Sequence, residues 1–213
     1  MAFRNRLTRR VLVTGVAAAA AVGVSAGVAM AVAITFTITP GGAITATAGT
    51  TNLKDVNTGS VLTCATSTSS GTLKKGSGVP GTNIGSITAL SFNNCTGPLG
   101  LTFTVSNSGF PWTLSGTAYN ATTGTTTGFI NGIKSHLSGP SCSADVAGAT
   151  ATAKGKVKVT YTNSTGKLKV LSTGGNLHVW NVSGCPSTIL NNGDPTVFTG
   201  TYTVTPKQKI TSP

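Results

Sequence analysis

Four cysteines, two histidines and three aspartates are the residues of this chain best suited to chemistry. Cys64, Cys95, Cys142 and Cys185 form an even set that could close two disulfides in any of three pairings. A metal site is the rival, because His136 shortly precedes Cys142 and His178 shortly precedes Cys185. Zinc sites usually draw on tighter C-x-x-C or H-x-x-x-H spacings. Disulfides are therefore expected, with no metal and no cofactor.

The acids offer little for catalysis. Glutamate is absent, and the aspartates are Asp55, Asp145 and Asp194. A glycosidase needs two carboxylates flanking its bond, yet Asp194 lies in the turn sequence Asn191-Asn192-Gly193-Asp194-Pro195 and Asp55 follows Lys54 near another turn. Asp145 with His136 or His178 could belong to a Ser-His-Asp set, but nothing local in the sequence supports it. Gly23-Val24-Ser25-Ala26-Gly27 matches the nucleophile elbow without the strand-turn-helix that gives the elbow its function. Gly76-Ser77-Gly78-Val79-Pro80-Gly81 matches a dinucleotide loop, but Pro80 opens no helix and no acid follows to hold a ribose. The expectation is a non-catalytic protein.

Surface charge is more informative. Lys154, Lys156 and Lys158 alternate with Val157, Val159 and Tyr161, and Lys167 and Lys169 alternate with Leu168 and Val170. This pattern predicts a hairpin with a four-residue loop, Asn163–Gly166, that pairs Tyr161 with Leu168, Val159 with Val170 and Thr160 with Lys169. That register keeps lysine from directly facing lysine. Five lysines on one outer face suit an anionic cell-wall polymer or acidic polysaccharide; the alternative role is protection of an exposed strand edge. Specific nucleic-acid recognition is not expected, since all four arginines fall within the first ten residues and bidentate guanidinium contacts are missing beyond them. Trp112 and Trp180 are candidates for stacking on a glycan, or for the core. The Thr-x-Thr runs raise ice or crystal-surface binding, though their spacing is irregular.

These side chains must be positioned by strands. Ile34–Thr39, Leu101–Ser106 and Phe198–Val204 alternate apolar residues with hydroxyls, the period of a half-buried strand. Gly, Pro, Asn and Ser punctuate them at 40–42, 57–59, 93–94 and 191–195. The fold class expected is all-β, an antiparallel β-sandwich or jelly-roll-like barrel. A loose echo runs through the second half. Tyr119–Gly124 leading to Cys142 resembles Tyr161–Gly166 leading to Cys185, so each copy ends at a cysteine. The echo favours pairing Cys142 with Cys185, leaving Cys64 with Cys95. Chain-entropy arithmetic gives about 3.5 to 4 kcal/mol for each loop, an upper figure.

The first thirty-one residues read differently. Arg4, Arg6, Arg9 and Arg10 precede an Ala-rich apolar run that ends in small residues around Ala29–Ala33, the pattern of a cleaved secretory signal. Residues 1–31 are thus expected to be a signal peptide and 32–213 a single secreted, basic domain with no membrane span. Beyond the leader, eleven lysines face three aspartates, a net charge of +8 against +12 for the whole chain.

Leu62-Thr63-Cys64, Ser91–Phe103 with its Asn-Asn-Cys-Thr-Gly-Pro core, Ser138–Cys142 and the closing Phe198–Pro206 together resemble a group of secreted actinobacterial proteins of unknown function. A weaker likeness links the cysteine-strand rhythm to the secreted alkane-oxidation activator family. The resemblance implies export and a β fold, and carries no catalytic residue.

Overall fold

Alternation of side chains sorts the two faces of each strand. In β4 (Val61–Leu73) Ser67, Ser69, Gly71 and Leu73 are buried while Thr68, Ser70 and Thr72 are exposed. In β14 (Pro195–Thr205) Tyr202 and Val204 turn inward and Thr201, Thr203 and Thr205 outward. The computed structural model describes residues 33–213, with fifteen strands and one short 3-10 turn at Pro98–Gly100. The expected signal peptide and its cleavage site lie outside the described residues.

Four long strands carry the architecture: β4, β6 (Gly85–Thr96), β9 (Thr125–Ser138) and β14. Short strands stacked end to end fill the spaces between them. β3 (Thr51–Asp55) and β2 (Gly42–Ala48) each pair with both β14 and β4. β7 (Thr102–Ser108) and β8 (Trp112–Asn120) bridge β6 and β9. From β9 the path continues through β10 (Ser143–Ala147) and β13 (Leu177–Ser183), or through β11 (Gly155–Thr162) and β12 (Lys167–Val170), and returns to β14. Every pairing is antiparallel, and the ring closes after eight strand positions. Of the two expected architectures the ladder thus takes the barrel, which leaves no open side. Closure needs sharp bends, and glycine permits one of them: a Cβ at Gly128 would run into the Ser115 carbonyl, where β9 crosses β8.

A separate three-stranded sheet of β15 (Lys209–Thr211), β1 (Thr35–Thr39) and β5 (Gly76–Pro80) covers one end. Phe36 and Ile38 of β1 are fully buried. Phe36 lies over Gly116, where a Cβ would come within 2.6 Å of its ring. The opposite mouth is built from turns, with Leu99 at the tip of one of them, 88% exposed at φ 59°. Between the two ends the interior is mostly apolar, with a few buried hydroxyls such as Ser67, which is hydrogen-bonded to the Tyr202 hydroxyl at 2.9 Å. Phe92 meets Phe198 edge to face at 5.7 Å, and both line a cavity of about 70 Å³ with Leu53, Val105, Ile130 and Ile133.

Both disulfides join the expected partners. Cys64–Cys95 links directly paired residues of β4 and β6, and Cys142–Cys185 fastens the turn after β9 to the loop after β13. The sequence echo corresponds to two hairpin tips that touch, with the Asn163 N–H donating to the Gly124 carbonyl at 3.0 Å.

Candidate functional site

The lysine hairpin forms in the expected register: Val159 faces Val170, Thr160 faces Lys169 and Tyr161 faces Leu168. Val157, Val159, Tyr161 and Val170 are buried, so the lysines of both strands share the outer face. Lys154, Lys156, Lys167 and Lys169 are exposed and Lys158 is half-buried. At the hairpin tip Lys207 donates to the Ser164 carbonyl at 3.4 Å, adding a sixth cation from a distant part of the chain. Among the described residues the one ion pair joins His136 to Asp145, so none of these lysines is neutralised by a carboxylate.

The edge-protection alternative loses its basis. β11 is paired on both sides by β9 and β12, and β12 by β11 and β14. Where β11 runs past β12, the following loop covers it: the Leu171 N–H donates to the Lys158 carbonyl and the Asn176 N–H to the Lys156 carbonyl. The Lys156 N–H donates in turn to Asn176 Oδ1 at 2.8 Å. No free strand edge is left there for lysines to guard.

What surrounds the lysines is equally informative. Lys156 Nζ stands 5.2 Å from the ring centroid of Phe129, an outward aromatic on β9 that the sequence reading did not single out. From Lys167 a row of facing residues runs across five strands as Lys167, Thr203, Thr47, Thr68 and Ser91. All five are exposed. At ordinary strand spacing the row is about 19 Å long. Beside it Thr205, Thr45 and Ser70 form a second row. The barrel thus sets its lysines at one side of a hydroxyl-covered surface.

The tryptophans divide. Trp112 is 2% exposed, stacked on Phe110 at 4.6 Å, with its indole N–H donating to the Ser108 carbonyl. It has no free face for a sugar, and the glycan-stacking expectation for Trp112 is corrected to a core role. Trp180 is half-buried, and its N–H donates to the Gly148 carbonyl at 3.0 Å.

His136 and Asp145 are partners, as one of the sketched sets required: Nδ1 lies 2.7 Å from Asp145 Oδ1. Asn181 donates to the other Asp145 oxygen at 2.7 Å. The Asn181 amide, helped by His136, holds the Asp145 carboxyl below its ordinary value against the opposing effect of burial. Ser106 is the cross-strand neighbour of His136, but no hydrogen bond joins their side chains. The row lies across three paired strands, whose ladder N–H groups point along the sheet rather than into a shared oxyanion pocket. His178 is elsewhere, with Nδ1 3.1 Å from the Asn176 carbonyl.

The structure also joins two residues that sequence reasoning set apart. Asp55, at the end of β3, and Asp194, just before β14, meet at the open mouth of the barrel, with Asn57 hydrogen-bonded to both. No sequence signal could have paired them, since each reads locally as a turn residue.

No family model, no curated protein and no solved structure matches this chain.

Proposed function

We propose that the protein works at or outside the cell surface as a non-catalytic structural or adhesive component, binding an anionic, hydroxyl-rich envelope polymer. The observation that carries this reading is the row from Lys167 through Thr203, Thr47 and Thr68 to Ser91, flanked by the unneutralised lysines of β11 and β12. Lysines attract carboxylate or phosphate groups over a distance set by the ionic strength. Threonine and serine hydroxyls donate to and accept from sugar or polyol oxygens. The compartment is part of the proposal. Two disulfides suit an oxidising environment, the basic, apolar start of the chain suits export, and no helix among the described residues is long and apolar enough to cross a membrane.

Retention on isolated cell walls, measured against salt, tests the reading. Exchanging Lys154, Lys156, Lys158, Lys167 and Lys169 for Gln leaves the inward side chains untouched, so folding is expected to survive. Affinity should drop roughly tenfold or more, and wild-type retention should weaken as salt rises. A folded quintuple variant that binds as wild type does would overturn the proposal. A carbohydrate-binding module is the second reading, favoured by Phe129 lying among these polar groups. It expects salt-insensitive binding to one glycan that is lost in Phe129→Ala or Trp180→Ala.

A further inference from the structure

Independently of the lysine face, the turn-built mouth of the barrel encloses an apolar space with two polar atoms left over. A cavity of about 50 Å³ lies there among Val61, Leu62, Pro98, Phe103, Val179 and Leu190. Leu53, Leu62 and Leu137 line both this cavity and the one of about 70 Å³ inside the barrel, so the two adjoin. The approach is apolar as well. Among the described residues the exposed large apolar side chains are Val56, Val61 and Leu99, and all three stand in or beside the turns of this mouth.

Asp55, 2% exposed, and Thr196, 7% exposed, also line the mouth cavity. They are ladder partners, so their side chains leave the sheet on the same inward face. Asp55 Oδ1 accepts the N–H groups of Asn57 and Thr58, each at 2.9 Å. Asp55 Oδ2 and Thr196 Oγ1 find no partner in the protein, and a buried oxygen without one is costly. Asp194 stands outside the cavity wall, its oxygens already taken by Asn57 and Asn191.

An apolar cavity with a few convergent polar groups is the usual form of a small-molecule site. Here the carboxylate oxygen can only accept, whereas the threonine hydroxyl can donate. An alcohol answers both, donating its O–H to Asp55 Oδ2 and accepting from Thr196 Oγ1 while its chain fills the apolar space. A carboxylate head would meet the like charges of Asp55 and Asp194. An ammonium would bring three donors to two oxygens. We propose that the adjoining cavities form a binding site for a short-chain primary alcohol, its hydroxyl held between Asp55 and Thr196 and its chain directed past Leu53 and Leu62 into the barrel. Together the cavities are somewhat smaller than an engineered apolar cavity of about 150 Å³ that takes benzene, which sets the chain at about four to six carbons.

The disulfide-bonded protein is titrated with n-pentanol while amide and indole NMR shifts are followed, the Trp112 indole reporting from the wall of the deeper cavity. Saturation at one molecule per chain is expected, with a Kd of about 0.1–1 mM and the largest shifts at residues lining the two cavities. Butyl methyl ether, an isomer of the same size with no donor, should bind about tenfold more weakly, and pentanoate at least as weakly. Thr196→Val keeps the shape of the side chain and removes its donor, so it should weaken pentanol about three- to tenfold and leave the ether less affected. Absence of saturable shifts with pentanol on the wild-type protein would mean that the cavity holds water only and would overturn the proposal. Ether or pentanoate binding as tightly as pentanol, or a folded Thr196→Val variant binding pentanol as wild type does, would take the hydroxyl away from Asp55 and Thr196 and overturn it equally.

Discussion

Asp145 and Trp112 show how far a residue's role depends on what the fold places beside it. Both stood in the sequence as candidates for a site, Asp145 for a hydrolytic set and Trp112 for a sugar platform. The barrel gives Asp145 an amide and an imidazole to hold its charge, and gives Trp112 an interior. Because the folded Asp145 carboxyl lies below its ordinary value of 3.8, its contribution to stability is complete above that value and is lost as pH falls through the lower folded value. Urea midpoints between neutral and strongly acidic pH should therefore fall more steeply in wild type than in Asp145→Asn. The Asp145 and His136 side chains are both partly exposed, so the difference should stay below about 1 kcal/mol; parallel curves would refute it. Trp112→Ala should destabilise the domain by about 3–5 kcal/mol, far more than Trp180→Ala, and equal losses would contradict the burial. Neither outcome was readable from sequence, because an aromatic beside proline looks the same in a core and in a binding cleft.

Among the elements, what was legible follows from parity. A β hairpin whose inward residues are Val157, Val159 and Tyr161 on one strand and Leu168 and Val170 on the other admits few registers, and the observed one was recoverable from the residues alone. The neighbours of that hairpin were not recoverable. β9 and β14 come from elsewhere in the chain, and only their presence shows that the lysines guard no edge. The hydroxyl rows were hidden for the same reason: Thr47, Thr68, Ser91 and Thr203 are scattered in sequence and align only across strands. One element is fixed by a missing side chain. Gly128 passes so close to the Ser115 carbonyl that Gly128→Ala would push β9 away from β8. That variant should lose about 1–3 kcal/mol by denaturant unfolding, and a loss near zero would mean that the crossing is looser than described.

For the whole molecule, the ring order decides the behaviour. The barrel has two halves along its axis. One holds β3, β7, β10 and β13 between the long strands, the other β2, β8, β11 and β12. Each half taken alone resembles a small barrel, but β4, β6, β9 and β14 run through both, so neither can unfold without removing strands from the other. Both ends of the described chain take part as well. β15 pairs with β1, and the Ser212 hydroxyl donates to the Thr35 carbonyl at 2.8 Å. Alternation could reveal the strands, but closure by pairs such as β14 with β2 depends on contacts between segments more than a hundred residues apart, which no local pattern encodes. Shared strands predict one cooperative transition in place of two. With the disulfides intact, near-UV signals from Trp112, inside the barrel, and Trp180, half-buried on β13, should change together with the far-UV signal at a single urea midpoint. Refolding should be slow, on the order of milliseconds to seconds, because most pairings must close long loops first. Two separated midpoints would show that the halves unfold independently and that the long strands couple them only weakly.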